Sequence, residues 1–189
     1  MADSKMSIPQ EFQSQLRYVE PKDKRTDAEI LASFKQYAPI ESEKNIWTYW
    51  HAGVDAMAGW TQRNVVNWVR LHGNDWTVRI LDTVPGSPNH ALKWLSADEL
   101  PECFVKGTMV GPYTGPHSAD FLRGAALAAY GGVWMDVGCL VFRNLDEVCW
   151  NQLADDDSPY TVSTPIMYSQ WMANHFVASR KGDLFIKKW

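Results

Sequence analysis

Residues Ser118 to Gly138, SADFLRGAALAAYGGVWMDVG, decide how this chain folds and where its chemistry sits. Ser118, Asp120 and Arg123 open an alanine-rich stretch, so a helix is predicted over 118–130 with Ser118 as its cap. Asp120 and Arg123 sit one helical turn apart, which puts both side chains on one face. Both are expected in the first turns, where unpaired backbone N–H groups favour an anion. The same spacing also suits a plain surface ion pair, which contributes little. Gly131 supplies the left-handed residue that ends the helix, and Gly132 lets the chain reverse into an apolar strand, Val133-Trp134-Met135. That strand delivers Asp136 to its carboxyl end. A carboxylate there must be solvated, hydrogen-bonded or metal-bound, because burying it unpaired is costly. Open α/β sheets bind their ligands at this end of the strands, where Asp136 can hold a metal ion or a sugar hydroxyl.

Working outward, short strands and helices alternate on both sides of this block. Ile46 to Trp50 is β-rich and ends at His51-Ala52-Gly53. Trp60 to Leu71 has helical periodicity, with Gly73 as its stop, and Trp76, Val78 and Ile80 alternate as a second strand. Ser87-Pro88 predicts a short helix through Leu95, and Ser96 to Glu99 a capping box. Strands are expected over 139–142, 160–163 and 175–179, with a helix starting at Asp183. The β-α-β-α order predicts an α/β fold with a mostly parallel sheet flanked by helices. Residues 1–45 form an N-terminal helical extension, and 46–189 form the ligand-binding domain. In the extension, Ile8, Phe12, Leu16 and Val19 recur at helical spacing up to Pro21, and Thr26 to Glu29 is a capping box before Ile30, Leu31, Phe34 and Tyr37.

Composition narrows the function. With 189 residues and 46% hydrophobic content the chain has one soluble domain's worth of core. A net charge of −4, with Lys22, Lys24 and Arg25 interleaved among Asp23 and Asp27, argues against a nucleic-acid partner. The longest apolar stretch, Ala125 to Met135, falls short of the roughly 18–20 residues of a membrane span. The first thirty residues lack the apolar run of a secretory signal. Cys103, Cys139 and Cys149 form no CxxC pair and are expected as buried free thiols, so a cytoplasmic location is expected. Asp155-Asp156-Asp157 is expected to be a solvated loop. His72, His90 and His117 lack partners at the spacing of a zinc site. Most of the ten tryptophans are expected in the core, and only Trp50, ending the first strand, has a positional claim on a ligand.

The 118–138 block resembles the sugar-binding region of the DXD-containing glycosyltransferases, a group that includes the capsular polysaccharide synthesis proteins. Their pattern is Ser-x-Asp-x-x-Arg, a helix, then Gly-Gly and a strand ending Asp-x-Asp; here Gly138 stands in the last position. The resemblance implies a GT-A-like fold and transfer of a hexose from a nucleotide-sugar donor to an acceptor hydroxyl, with retention. It assigns Asp120 and Arg123 to the donor sugar and Trp50 to the nucleotide base, with core packing the alternative for Trp50; the neighbouring His51 is read as a structural histidine or a donor to phosphate. Asp136 is assigned to a divalent cation, Mn²⁺ or Mg²⁺. Asn174 and His175 fall where relatives place polar residues near the metal or acceptor. Gly138 removes one carboxylate, so cation binding is expected to be weak or nucleotide-dependent, and a binder without turnover is the alternative. Relatives run longer, so the C-terminus is expected to be cut short. A dinucleotide-dependent oxidoreductase is disfavoured, because no G-x-G-x-x-G follows the first strand.

Overall fold

Two apolar faces of one sheet organise the molecule, and the alternation that builds them is already present in the strand sequences. The computed structural model describes residues 9–189. In chain order the elements are α1 (Gln10–Gln13), α2 (Asp27–Ser33), β1 (Asn45–Tyr49), α3 (Gly59–His72), β2 (Thr77–Leu81), α4 (Glu102–Val105) and α5 (Thr114–Tyr130). There follow β3 (Gly132–Met135), α6 (Asn151–Ala154), β4 (Val162–Ser163), β5 (Ile166–Met167), β6 (Trp171–Met172), β7 (Phe176–Ser179) and α7 (Leu184–Lys188). The main sheet has the order β2-β1-β3-β7-β4. β1 pairs in parallel with both β2 and β3, and β7 runs antiparallel between β3 and β4. Only β7 therefore opposes the common strand direction, so the mostly parallel α/β sheet expected from the sequence is present.

Successive residues along each strand face opposite layers. Ile46, Ile80, Val133, Met135 and Ala178 pack with Ile30 and Phe34 of the α2 segment and with Val65 and Trp68 of α3. Trp47, Tyr49, Leu81, Trp134 and Val177 pack with Leu122, Ala126 and Leu127 of α5, and with Ile186 of α7. Six of the ten tryptophans, Trp47, Trp68, Trp76, Trp94, Trp134 and Trp150, are buried, which bears out the core role expected for most of them. Arg79 is also buried. Its guanidinium stacks 5.5 Å from the Trp47 ring and 5.0 Å from the Trp94 ring, and it donates to Asn45 at 2.7 Å and to the carbonyls of Ala38 and Pro39. Burial lowers its pKa to about 10, and the bonds tie the segment before β1 to the sheet.

The capping box at Thr26 forms as expected, with Glu29 returning to the Thr26 N–H at 2.7 Å. Other local expectations are corrected. The periodic run from Ile8 to Val19 yields only the short α1. Ile8 lies outside the described residues, while Phe12, Leu16 and Val19 are exposed and so have no core to stabilise a longer helix. The helix predicted from Ser118 begins one turn earlier, at Thr114, because Pro116 falls in the first turn, where its missing N–H costs nothing. Ser118 is thus internal, its hydroxyl donating to the Thr114 carbonyl at 2.7 Å. Asp120 and Arg123 lie beyond the unpaired N–H groups.

Ser87 opens no α-helix. Its hydroxyl donates to Asp82 at 2.6 Å, and Ala91–Lys93 is a 3₁₀ turn pinned to the end of β2. Ser96 likewise starts a 3₁₀ turn rather than a capping box. No strand forms over 139–142, since the sheet position beside β3 is taken by β7. Cys103 is exposed, contrary to expectation, whereas Cys149 is buried and its thiol is pushed up to about 12. No helix among the described residues is long and apolar enough to cross a membrane.

His72 couples α3 to the segment after β3. It is fully buried, with Nδ1 2.7 Å from the Trp68 carbonyl and Nε2 accepting the Leu145 N–H at 3.2 Å. These bonds fit the neutral ring with the proton on Nδ1. Burial pushes its pKa down from 6.5. The unfolded chain therefore gains this proton at a higher pH than the native ring does. The stabilisation is complete above about pH 6.5 and is lost as pH falls below it. Urea midpoints should drop between pH 7.5 and 5.5 in the wild type, and His72→Gln should flatten that slope. Asp23, Glu43 and Asp75, whose pKa values are lowered, act only at more acidic pH.

Candidate active site at the switch between strands

β1 and β3 are adjacent and parallel, in the register Ile46↔Val133 and Trp47↔Trp134, so their carboxyl ends open side by side. The helix after β1 returns to β2 on one side, and α5 leads to β3 on the other. The strand order thus reverses between β1 and β3, the crevice where α/β sheets take ligands. A cleft of about 560 Å³ opens there. It brings together Trp50 and His51 from the end of β1, Asp120 and Arg123 from α5, Asp136 from the end of β3, and Asn174 from the loop before β7.

Arg123 is the hub. Its side chain is only 3% exposed, yet it reaches the cleft wall. It donates from Nη1 to Asp120 at 2.8 Å and from Nη2 to Asp136 at 3.4 Å, and its guanidinium lies 5.5 Å from the Trp134 ring. The two carboxylates are 42% and 44% exposed, so each keeps an open side. Asn174 donates to Asp120 at 3.3 Å, and His117 stands 3.8 Å from its other oxygen. Trp134 donates to Asp136 at 2.9 Å. Trp50 has one side against the core and another on the cleft, its ring 6.2 Å from that of His51.

His175 takes a different position from its neighbour. Its side chain borders a second, apolar groove on the far side of Asp136, while its carbonyl accepts the Asp136 N–H at 2.9 Å. Asn174 therefore lines the cleft and His175 the groove, while Asp136 borders both. Asp155 to Asp157 form the exposed turn expected of them.

The turn after β3 is held from below. The Asp136 carbonyl accepts the Cys139 N–H at 2.8 Å, Asn64 donates to the Val137 carbonyl at 2.8 Å, and Trp68 donates to the Cys139 carbonyl at 3.1 Å. Burial, with the nearby Asp136 charge, raises the Cys139 thiol to about 11, so it stays protonated at neutral pH. Asn64, Trp68 and Trp134 were missed as site residues. Two of them carry a signal: Asn64 is an asparagine among inward-facing Val65 and Trp68 on α3, and Trp134 stands two residues before Asp136 on the same strand face. Asn64→Ala should lower stability by about 1 kcal/mol and leave the Asp136 turn less ordered. Backbone amide exchange at Gly138 and Cys139 should then accelerate; unchanged exchange would show that Asn64 does not hold the turn.

Comparison with known proteins gives this geometry its context. Residues 4–189 match the family model described as capsular polysaccharide synthesis protein. A probable glycosyltransferase, FCK3, of Fusarium pseudograminearum is 55% identical over 183 residues, covering 97% of this chain and 46% of the relative. The O-glycosyltransferase braB of Annulohypoxylon truncatum is 42% identical over 171 residues, covering 88% and 41%. The glycosyltransferase afumC of Aspergillus fumigatus is 42% identical over 172 residues, covering 87% and 44%. The chain thus spans less than half the length of these relatives. From its first matched residues to its last, it belongs to the capsular polysaccharide synthesis protein family.

Proposed function

We propose that this chain carries the donor site of a glycosyltransferase, which moves a hexose from a nucleotide-sugar to an acceptor hydroxyl with retention of configuration. The observation that carries the reading is the Asp120–Arg123–Asp136 cluster at the strand switch, beside an aromatic wall at Trp50. The relatives, glycosyltransferases by name, support the same class. The acceptor oxygen bonds to the anomeric carbon, the bond from that carbon to the diphosphate oxygen breaks, and the acceptor proton passes to the departing phosphate. Trp50 offers its ring to the base and His51 a donor to phosphate. Asp120, Asn174 and Arg123 orient the sugar hydroxyls, and His175 lies towards the acceptor. Holding these groups in place before the reaction is the main contribution of such a site.

A divalent cation, Mn²⁺ or Mg²⁺, fits this donor set only in part. Asp120 and Asp136 against Arg123 leave one net negative charge, which repels a bare diphosphate. Among the described residues no group of three His, Cys, Asp or Glu side chains is arranged to hold a metal. Asp136, whose two side-chain bonds both fall on Oδ1, is the residue that would share the ion. When bound, the cation would neutralise charge on the leaving diphosphate; most of its ligands must come from phosphate and water. Calorimetry should therefore detect little Mn²⁺ binding to the protein alone and appreciable binding with UDP or GDP. Asp136→Asn should abolish that joint binding. Gly138→Asp should strengthen it, because Gly138 lies outside the left-handed region and an added Cβ meets no atom within 4 Å. Tight Mn²⁺ binding without nucleotide would contradict this assignment.

Gly138 also favours a second reading, a nucleotide-sugar binder without turnover. Incubation with a panel of UDP- and GDP-hexoses, with and without Mn²⁺, separates the two. Release of nucleoside diphosphate supports transfer, and binding without release supports the second reading. Neither binding nor release would remove both.

A further inference from the structure

We infer that the apolar groove on the far side of Asp136 is the acceptor subsite, and that the acceptor it takes is an apolar alcohol rather than a glycan. The inference rests on the donor-site reading above. The groove encloses about 770 Å³, a volume suited to a small organic molecule. Its walls come from the irregular segment after β3 (Leu140, Val141, Phe142), from Val148, and from Pro165 and Phe176. Leu140, Phe142 and Val148 are exposed side by side along it. Single exposed apolar residues are ordinary, but a contiguous concave set marks a binding surface.

Asp136 lines both this groove and the donor cleft. A ligand in each would meet there, one from either side. The polar groups of the groove are few. They are Asp136, which also lines the donor cleft, with His175 and Arg143. One hydroxyl placed at the Asp136 end would have partners, while the hydroxyls of a glycan along the apolar walls would lose water without replacement. The groove floor is held in place, because Asn64 and Trp68 of α3 fix the Val137 and Cys139 carbonyls. An apolar body along the groove with its hydroxyl at Asp136 satisfies both requirements.

Fluorescence titration with naphthylethanol tests the groove, and hydrolysis of the UDP- and GDP-hexose panel on the same samples tests the donor site. Leu140→Asn combined with Val148→Asn leaves the charge at Asp136 unchanged and should weaken naphthylethanol binding about tenfold or more. Val110→Asn, at an exposed position outside the groove, should change nothing. Alkanols from butanol to decanol should accept hexose with efficiency rising up to about fourfold per added methylene. The inference is overturned if donor hydrolysis proceeds while naphthylethanol binding ignores the double variant, or if efficiency is flat with chain length. Sedimentation showing a dimer that the double variant dissociates would overturn it too, since the groove would then be covered by a second copy. Groove-dependent naphthylethanol binding without any donor hydrolysis would uphold an apolar-alcohol site and overturn the donor reading alone.

Discussion

Arg123→Lys is expected to lower nucleotide-sugar turnover by about 100-fold or more while the protein stays folded. The guanidinium reaches Asp120 and Asp136 at once, through two nitrogens at 2.8 Å and 3.4 Å. A lysine ammonium is a single point charge on a flexible stem and can stand at only one of them. The released carboxylate would turn to water and leave the geometry that orients the donor. Stability should fall by about 1–3 kcal/mol, because the Arg123 side chain is 3% exposed and lysine leaves one of its bonds unmade, while the carboxylates, 42% and 44% exposed, keep their water. Arg123 also keeps Nε buried without a hydrogen-bond partner among the described residues, a cost that points to a role in the site. Single-turnover rates with saturating donor, alongside thermal melts, give both numbers. Wild-type rates in Arg123→Lys would remove the residue from the donor site.

Gly132→Ala is expected to destabilise the fold by about 3–5 kcal/mol, the largest effect of any single methyl added here. Gly132 has φ +104°, and an added Cβ would stand 2.3 Å from the Asn45 carbonyl oxygen and 2.9 Å from that of Glu43. Those atoms are backbone at the entry to β1 and have little room to shift. The preceding Gly131 is enclosed too, with the Lys181 nitrogen 2.7 Å from an added Cβ, and its carbonyl accepts the Trp47 indole N–H at 3.0 Å. Glu43 is itself fixed by Arg180 at 3.0 Å and by the Lys181 N–H at 2.6 Å. The double glycine therefore joins α5, β1, β3 and the end of β7 in one junction. Urea denaturation should show a lower midpoint with the slope retained. A loss below about 1 kcal/mol would mean that the junction relaxes around the methyl.

The block from Ser118 to Gly138 was legible because each of its transitions has a local cause. Leu122, Ala126 and Leu127 repeat at helical spacing, two glycines end the helix at positive φ, and an apolar strand runs to Asp136. The parallel pairing of β1 with β2 and β3 followed from strand–helix alternation. What stayed hidden depends on residues far apart in the chain. Nothing in Val133 to Met135 announces that β7, some forty residues later, lies beside it, and so the apolar segment at Leu140 was given a strand it does not form. The helix start at Thr114 was missed because proline in a first turn looks like a break. Asn64 and Trp68 belong to α3, and their bonds to the Asp136 turn are tertiary contacts that helical periodicity does not encode. Likewise, adjacency of Asn174 and His175 in sequence suggested one site, whereas across the bend before β7 Asn174 lines the donor cleft and His175 the apolar groove.

A crystal structure of the protein soaked with Mn²⁺ and UDP or GDP bears most directly on the donor site. The diphosphate should lie between the carboxyl ends of β1 and β3, with the base against Trp50 and an Asp136 oxygen on the cation. Nucleotide bound elsewhere on the molecule, with the cleft around Arg123 empty, would contradict the assignment.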